Sequence, residues 1–176
     1  DLEQTFQTIG LLKNSPLTLR TLIVCPPALM AGWTDELQAC GFAVSTLVQS
    51  SAWSSPIGGG GGTTVYLTTY PKVCHYIEGL ASAATHFERV ILDEGHVIRN
   101  GKATARWNSC MAVARMATCR WILSATPVQN GPADWRNLCS WLQVPSANVS
   151  TTDIGSVIML RRTMAELRAE IEALPP

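Results

Sequence analysis

Apolar residues along this chain come in short blocks that obey two different spacings. Residues 21–25 (Thr-Leu-Ile-Val-Cys), 64–67, 90–92 and 121–123 are compact runs, partly β-branched, that read as buried strands, and residues 43–48 alternate enough to be another. Between them the spacing becomes helical: Leu2, Phe6, Ile9 and Leu12; Leu29, Trp33, Leu37 and Cys40; residues 71–81; Trp107, Cys110, Met111 and Ala114; Trp135, Leu138, Cys139 and Leu142. The punctuation agrees. Asn14-Ser15-Pro16 ends the first helix, Pro26-Pro27 halts a strand, Gly41 closes the second helix and Gly131-Pro132 opens another with proline near its first turn. Thr163-Met164-Ala165-Glu166 is a capping box for a last helix with Leu167, Ile171 and Leu174 on one side. Strand and helix alternate from residue 21 to 141, which predicts an α/β domain of three layers around a mostly parallel sheet.

Two stretches break this rhythm. Residues 50–63 are rich in Ser, Gly and Pro, with five consecutive glycines at 58–62; no lysine or helix start follows, so the stretch reads as a flexible surface insertion rather than a phosphate loop. Residues 144–153 read as a polar linker before an apolar run at 154–160.

Composition narrows the class. With 176 residues, 47% of them apolar, the chain suits one domain with one sizeable core. Thirteen basic residues balance thirteen acidic ones, so no global field attracts nucleic acid and any DNA contact must be local. The six cysteines include no Cys-x-x-Cys pair, which argues against zinc and for small buried hydrophobes in a reducing compartment. There is no initiator Met, signal peptide or long uncharged apolar run, and the chain reads as a soluble piece of something longer. The sequon Asn148-Val149-Ser150 is best explained by chance in such a chain.

The chemistry gathers where strands end. Val90-Ile91-Leu92 runs into Asp93 and Glu94, so two carboxylates fall at a strand's carboxyl end, the edge where open α/β sheets place their sites. Asp93 suits the water shell of Mg²⁺ and Glu94 the orientation of an attacking water; a solvated Asp-Glu turn is the plain alternative. Trp121-Ile122-Leu123 likewise stops at Ser124-Ala125-Thr126, whose hydroxyls suit sensing of a γ-phosphate. Arg99 to Lys102 is a local basic spot, either a DNA or partner contact or a solvated loop.

These residues resemble the Swi/Snf-type ATPases of helicase superfamily 2. Val-Ile-Leu-Asp-Glu-Gly-His-Val-Ile-Arg-Asn is similar to their motif II with its extension, Leu-Ser-Ala-Thr-Pro-Val-Gln-Asn to motif III, and Ile-Met-Leu-Arg-Arg-Thr at 158–163 to the segment leaving the first lobe. Gly95, where most members carry Ala, is similar to the branch with RING-bearing repair translocases. The resemblance implies a RecA-like first lobe over residues 1–176, incomplete at its start and lacking its first strand, in a nuclear protein whose partners are double-stranded DNA or chromatin and a second lobe, with no membrane. It implies ATP and Mg²⁺ as ligands. Leu-Glu-Gln-Thr-Phe-Gln-Thr-Ile aligns onto Leu-Gly-Lys-Thr-Leu-Gln-Thr-Ile, which puts Gln4 at the phosphate-binding lysine, Glu3 at the last loop glycine and Asp1 at an earlier position, with only Thr5, the hydroxyl expected on Mg²⁺, retained. Glu3 and Asp1 would repel the phosphates that glycine amides and a lysine attract.

By the same resemblance Pro26 and Pro27 belong to motif Ia and touch a DNA backbone, although a plain strand-to-helix turn explains them without it. Thr68 and Thr69 fall in motif Ib as phosphate contacts, with a simple helix cap as the equal alternative for Thr69. Gln129 and Asn130 lock motif III to the sheet, and His96 couples nucleotide state to DNA grip through Ser124 and Thr126. Trp33 reads as core rather than a base-stacking platform. Two functions follow: the ATP-hydrolysing lobe of a DNA translocase, or a lobe that keeps the fold and binds DNA or protein without turnover.

Overall fold

Among the described residues of the computed structural model, five parallel strands in the order β2-β3-β1-β4-β5 make the central sheet. The elements in chain order are α1 (Leu2–Lys13), β1 (Thr21–Cys25), a short 3-10 turn (Pro27–Leu29) leading into α2 (Met30–Ala39), β2 (Ala43–Thr46), β3 (Thr64–Thr69), α3 (Tyr70–Ser82), β4 (Phe87–Leu92), α4 (Ala105–Ala114), β5 (Ala117–Ile122) and α5 (Pro132–Leu142). The structure describes residues 2–15, 20–48, 64–82, 86–126 and 128–144, all within the unit Asp1–Val144. The insertion at 50–63, the sequon at 148, the linker beyond 144, the apolar run at 154–160, the motif at 158–163 and the capping box at 163–166 lie outside the described residues.

β1 shows why the sequence reads as it does. It lies between β3 and β4, all five of its side chains are buried, and helices cover both faces, so a continuous apolar run takes the place of alternation. Leu22, Val24, Val90 and Leu92 point to one face, where Tyr70 and Val73 of α3, Trp107 and Val113 of α4, and Leu138 and Trp141 of α5 pack on them. Ile23, Cys25, Leu67 and Ile91 point to the other, against Ile9 and Leu12 of α1 and Trp33 and Leu37 of α2. Helices thus lie on both faces of a wholly parallel sheet, the expected α/β class.

The differences from the sequence pattern have physical reasons. β3 runs on to Thr69 and α3 begins at Tyr70, because Thr68 and Thr69 stay in register with Val24 and Cys25 of β1. β5 starts at Ala117, ahead of its apolar run: it is an edge strand, so Thr118 and Cys119 can be exposed. In α4 the buried set is Trp107, Cys110, Val113 and Ala114, with Met111 half-buried. In α5, Asp134 and Trp141 join Leu138 and Cys139 inside, while Trp135 and Leu142 are half-buried, so the buried face includes a carboxylate that accepts from the Gln129 and Asn130 amides. Of the cysteines, Cys25, Cys110 and Cys139 are buried and Cys119 is exposed, so only part of the set acts as small hydrophobes. Gly41, at φ +85°, ends α2 as its position implies. Among the described residues no helix is long and apolar enough to cross a membrane.

Candidate functional site

Parallel strands in register bring their carboxyl ends to one edge. Val24 pairs with Leu92, Leu92 with Ile122 and Cys25 with Thr69, so Pro26, Tyr70, Asp93 and Leu123 all leave the sheet on the same side. Four separate sequence motifs therefore share one rim.

Asp93 is the best-anchored residue there, only 4% exposed. Its backbone N–H donates to the Val24 carbonyl at 2.9 Å, and its own carbonyl accepts from the Tyr70 hydroxyl at 2.7 Å. The Trp33 indole N–H donates to Oδ2 at 2.7 Å and the Glu94 amide to Oδ1 at 3.0 Å. Burial, with Cys110 and Asp93 nearby, keeps the Tyr70 phenol well above its usual range. Burial first, then Asp93, pushes the Cys25 thiol up to about 12, and its S–H lies 3.6 Å from the Thr68 carbonyl. Both groups stay neutral.

Glu94 holds a left-handed backbone, φ 51° and ψ 43°, which costs a side-chain-bearing residue about 1 kcal/mol or more. The turn is held by its own N–H on Asp93 and by the Gly95 N–H, which donates to the Leu123 carbonyl at 2.9 Å. The Glu94 carboxylate meets His96 Nδ1 at 3.0 Å, and the same nitrogen lies 3.3 Å from Ser124 Oγ. Ser124 Oγ in turn accepts from the Thr126 amide at 3.2 Å. Asp93, Glu94, His96, Ser124 and Thr126 thus form one connected chain of contacts.

Gly95 makes this possible by close approach. A Cβ there would stand 2.5 Å from Ile122 Cγ2, an atom fixed near the backbone of β5. Gly95→Ala is therefore expected to lower stability by about 1–3 kcal/mol through overpacking, measured by urea unfolding, and Ile122→Ala in the same chain should recover part of the loss.

Motif III is tied down by a residue the sequence reading overlooked. Asp134 Oδ2 accepts from the backbone N–H of Asn130 at 2.9 Å and of Gln129 at 3.0 Å, and lies 4.0 Å from Arg99 Nε. Asn137 Nδ2 donates to the Arg99 carbonyl at 2.6 Å. One turn of α5 so joins the loop after β5 to the loop after motif II. The acid at the start of a proline-opened helix was the available signal, a first-turn acceptor for amides just ahead. Those two amides, with a smaller contribution from Arg99, hold the Asp134 carboxyl below its ordinary value. A lowered folded value adds stability above the ordinary carboxylate range that is lost as pH falls through the folded value. Wild type should therefore exceed Asp134→Asn in melting temperature most near neutrality, and the gap should close on acidification, as a pH series of melting curves will report.

The remaining candidates fall in different places. Pro27 is exposed and Pro26 half-buried at the start of the turn before α2. Thr68 is fully buried and its hydroxyl donates to the Leu47 carbonyl at 2.8 Å; Thr69 is 6% exposed. These are the last two residues of β3, directly ahead of α3, and the Thr68 hydroxyl is committed inside the fold. Arg99 is half-buried and turned to Asp134, Lys102 is exposed, and the Gln129 side chain is exposed. Gln4 and Thr5 stand near the start of α1, where the Gln4 carbonyl accepts from Thr8 Oγ1 at 2.8 Å.

A hard carboxylate suits magnesium, and Asp93 presents one at the sheet's carboxyl edge, so this rim fits the metal's water shell. On the phosphate side the resemblance sets Gln4, an uncharged amide, at the lysine position, with Thr5 beside it near the start of α1. Among the described residues no group of three His, Cys, Asp or Glu could hold a metal by itself.

Comparison with known proteins gives a consistent result. The SNF2-related domain family matches residues 2–153. The chain is 32% identical over 141 residues to the helicase-like transcription factor of Mus musculus, covering 72% of this chain and 13% of that protein. It is 32% identical over 139 residues to the DNA repair protein RAD5B of Arabidopsis thaliana, covering 70% and 10%, and 31% identical over 176 residues to a probable global transactivator of Orgyia pseudotsugata multicapsid polyhedrosis virus, covering 86% and 34%. The chain therefore spans a minor part of each of these relatives. Among solved structures, the Sulfolobus solfataricus SWI2/SNF2 ATPase core in complex with dsDNA superposes with a TM-score of 0.63 at 19% identity, covering 96% of this chain and 35% of that one, a likeness of fold.

Proposed function

Because this chain belongs to the SNF2-related domain family, we propose that it is the first lobe of a nuclear, ATP-dependent double-stranded DNA translocase or chromatin remodeller, and that by itself the chain does not turn over nucleotide. The observation that carries this reading is the contrast across one site. Asp93, Glu94, His96 and Ser124 make a connected rim at the sheet's carboxyl edge, while the position of the phosphate-binding lysine is Gln4. When bound, a magnesium–nucleotide pair would supply the electrophilic phosphorus and its charge. Asp93 is disposed to accept hydrogen bonds from the metal's waters, Glu94 to orient a further water and His96 to pass the state of that edge to Ser124. Thr5 would give a hydroxyl to the same metal and Gln129 would border the nucleotide.

Pro26, Pro27, Arg99 and Lys102 are the proposed contacts to a DNA backbone. Positioning through phosphates alone carries no sequence information. A lobe that binds DNA or protein as a scaffold, without turnover, is the second reading, and Gln4 with Glu3 is what favours it. Under either one, the isolated chain should bind duplex DNA weakly, without sequence preference and less as salt rises, because few phosphates are neutralised. Fluorescence anisotropy with two unrelated duplexes across a salt series measures this. Tight, salt-insensitive binding to one sequence would contradict both readings.

A further inference from the structure

Trp33 was expected only to fill the core. It does so at 2% exposure, yet its one polar atom is spent on the carboxylate of motif II. A buried indole N–H needs an acceptor. Here it is Asp93, 60 residues away, at the short distance typical of a charge-assisted bond, 2.7 Å. Asp93 has its other three polar groups occupied by Glu94, Tyr70 and Val24, so Oδ2 is the atom by which α2 grips β4.

We propose that Trp33 is a positioning residue for Asp93, its indole N–H holding Oδ2 turned toward α2 so that a divalent cation's water shell must compete with it for that oxygen. This rests on the reading of Asp93 as the magnesium-facing carboxylate. In this arrangement magnesium affinity is set by a helix as well as by the acids at the rim. The same bond joins motif II to the helix that follows the Pro26-Pro27 turn, so movement of that turn changes what Asp93 offers a metal.

The test uses the whole chain and magnesium chloride without nucleotide. The indole N–H signal of Trp33, identified in ¹⁵N spectra by its loss in Trp33→Phe, is followed as magnesium is added, together with its rate of exchange with solvent. The signal is expected to move and its exchange to quicken on saturation, and Trp33→Phe is expected to bind magnesium about tenfold more tightly, the value of one charge-assisted hydrogen bond. Asp93→Asn should lose the magnesium response while its Trp33 N–H stays protected. Equal affinity in wild type and Trp33→Phe, or saturation that leaves the Trp33 signal unmoved, overturns the proposal and spares the reading of Asp93. Absence of magnesium binding in both chains overturns the two together. Should Trp33→Phe fail to fold, the Trp33 indole signal is assigned through its own backbone resonances, and its shift and exchange rate in wild type decide alone, with Asp93→Asn as the reference.

Discussion

No measurable ATP hydrolysis is expected from residues 1–176, with or without DNA. Phosphoryl transfer in this class is positioning plus charge stabilisation, and three groups share the work: a backbone-and-lysine cradle, a carboxylate on magnesium, and a cation that arrives in the transition state. By the resemblance, Gln4 stands as a neutral amide at the position of the first cation, and Glu3 as an acid at that of the last loop glycine. The third cation is drawn, in the resembled family, from a second lobe, and its loss alone costs a thousandfold or more. Retention of Asp93 and Glu94 cannot offset that, since an acid does nothing for a phosphate that is not held. Gln4→Lys with Glu3→Gly should improve Mg-ATP binding only slightly. A titration of labelled ATP against wild type, the double variant and Asp93→Ala decides the matter. Micromolar, magnesium-dependent binding by wild type that disappears in Asp93→Ala would mean that the altered loop still works.

The second large effect concerns stability. Trp141→Ala is expected to lower the unfolding free energy by about 3–5 kcal/mol, against a total of about 5–15 kcal/mol for a domain of this kind. Trp141 is fully buried at the end of α5, its indole N–H donates to the Cys110 carbonyl of α4 at 3.1 Å, and Arg120 of β5 lies over its ring at 6.0 Å. Truncation leaves a void where α4, α5 and β5 meet and deprives the Cys110 carbonyl of a donor. Arg120 Nη1 donates to the Trp141 main-chain carbonyl at 2.7 Å, a bond that survives truncation, so the loss should come from the void. Urea unfolding should show a lower midpoint at unchanged slope, and Trp141→Phe should lie much nearer wild type. A fall of less than about 1 kcal/mol would mean that the cluster relaxes into the gap.

Much of this architecture is legible because parallel strands buried on both faces write themselves as plain apolar runs. The limits of α1 and β1 match the pattern residue for residue, and the meeting of Asp93 with Ser124 follows once two such runs end at small or acidic residues. What escaped the pattern was whatever depended on a polar atom's distant partner. Nothing near Trp33 in the chain points to Asp93, and a periodicity that scores apolar residues passes over Asp134, although amides five and four residues earlier turn it inward. Thr68 is a related case. By the resemblance its hydroxyl reads as a phosphate contact, yet the Leu47 carbonyl, 21 residues back, takes its hydrogen bond inside the fold.

The edge position of β5 has a practical side. Among the described residues its outer backbone N–H and C=O groups have no ladder partner, and Thr118 and Cys119 are exposed along it. Such a rim is a template for a foreign strand, and an open thiol beside it can make a chance pairing permanent by oxidation. Purified at high concentration without reductant, this chain is expected to accumulate copies joined through Cys119, seen as a dimer band on a non-reducing gel.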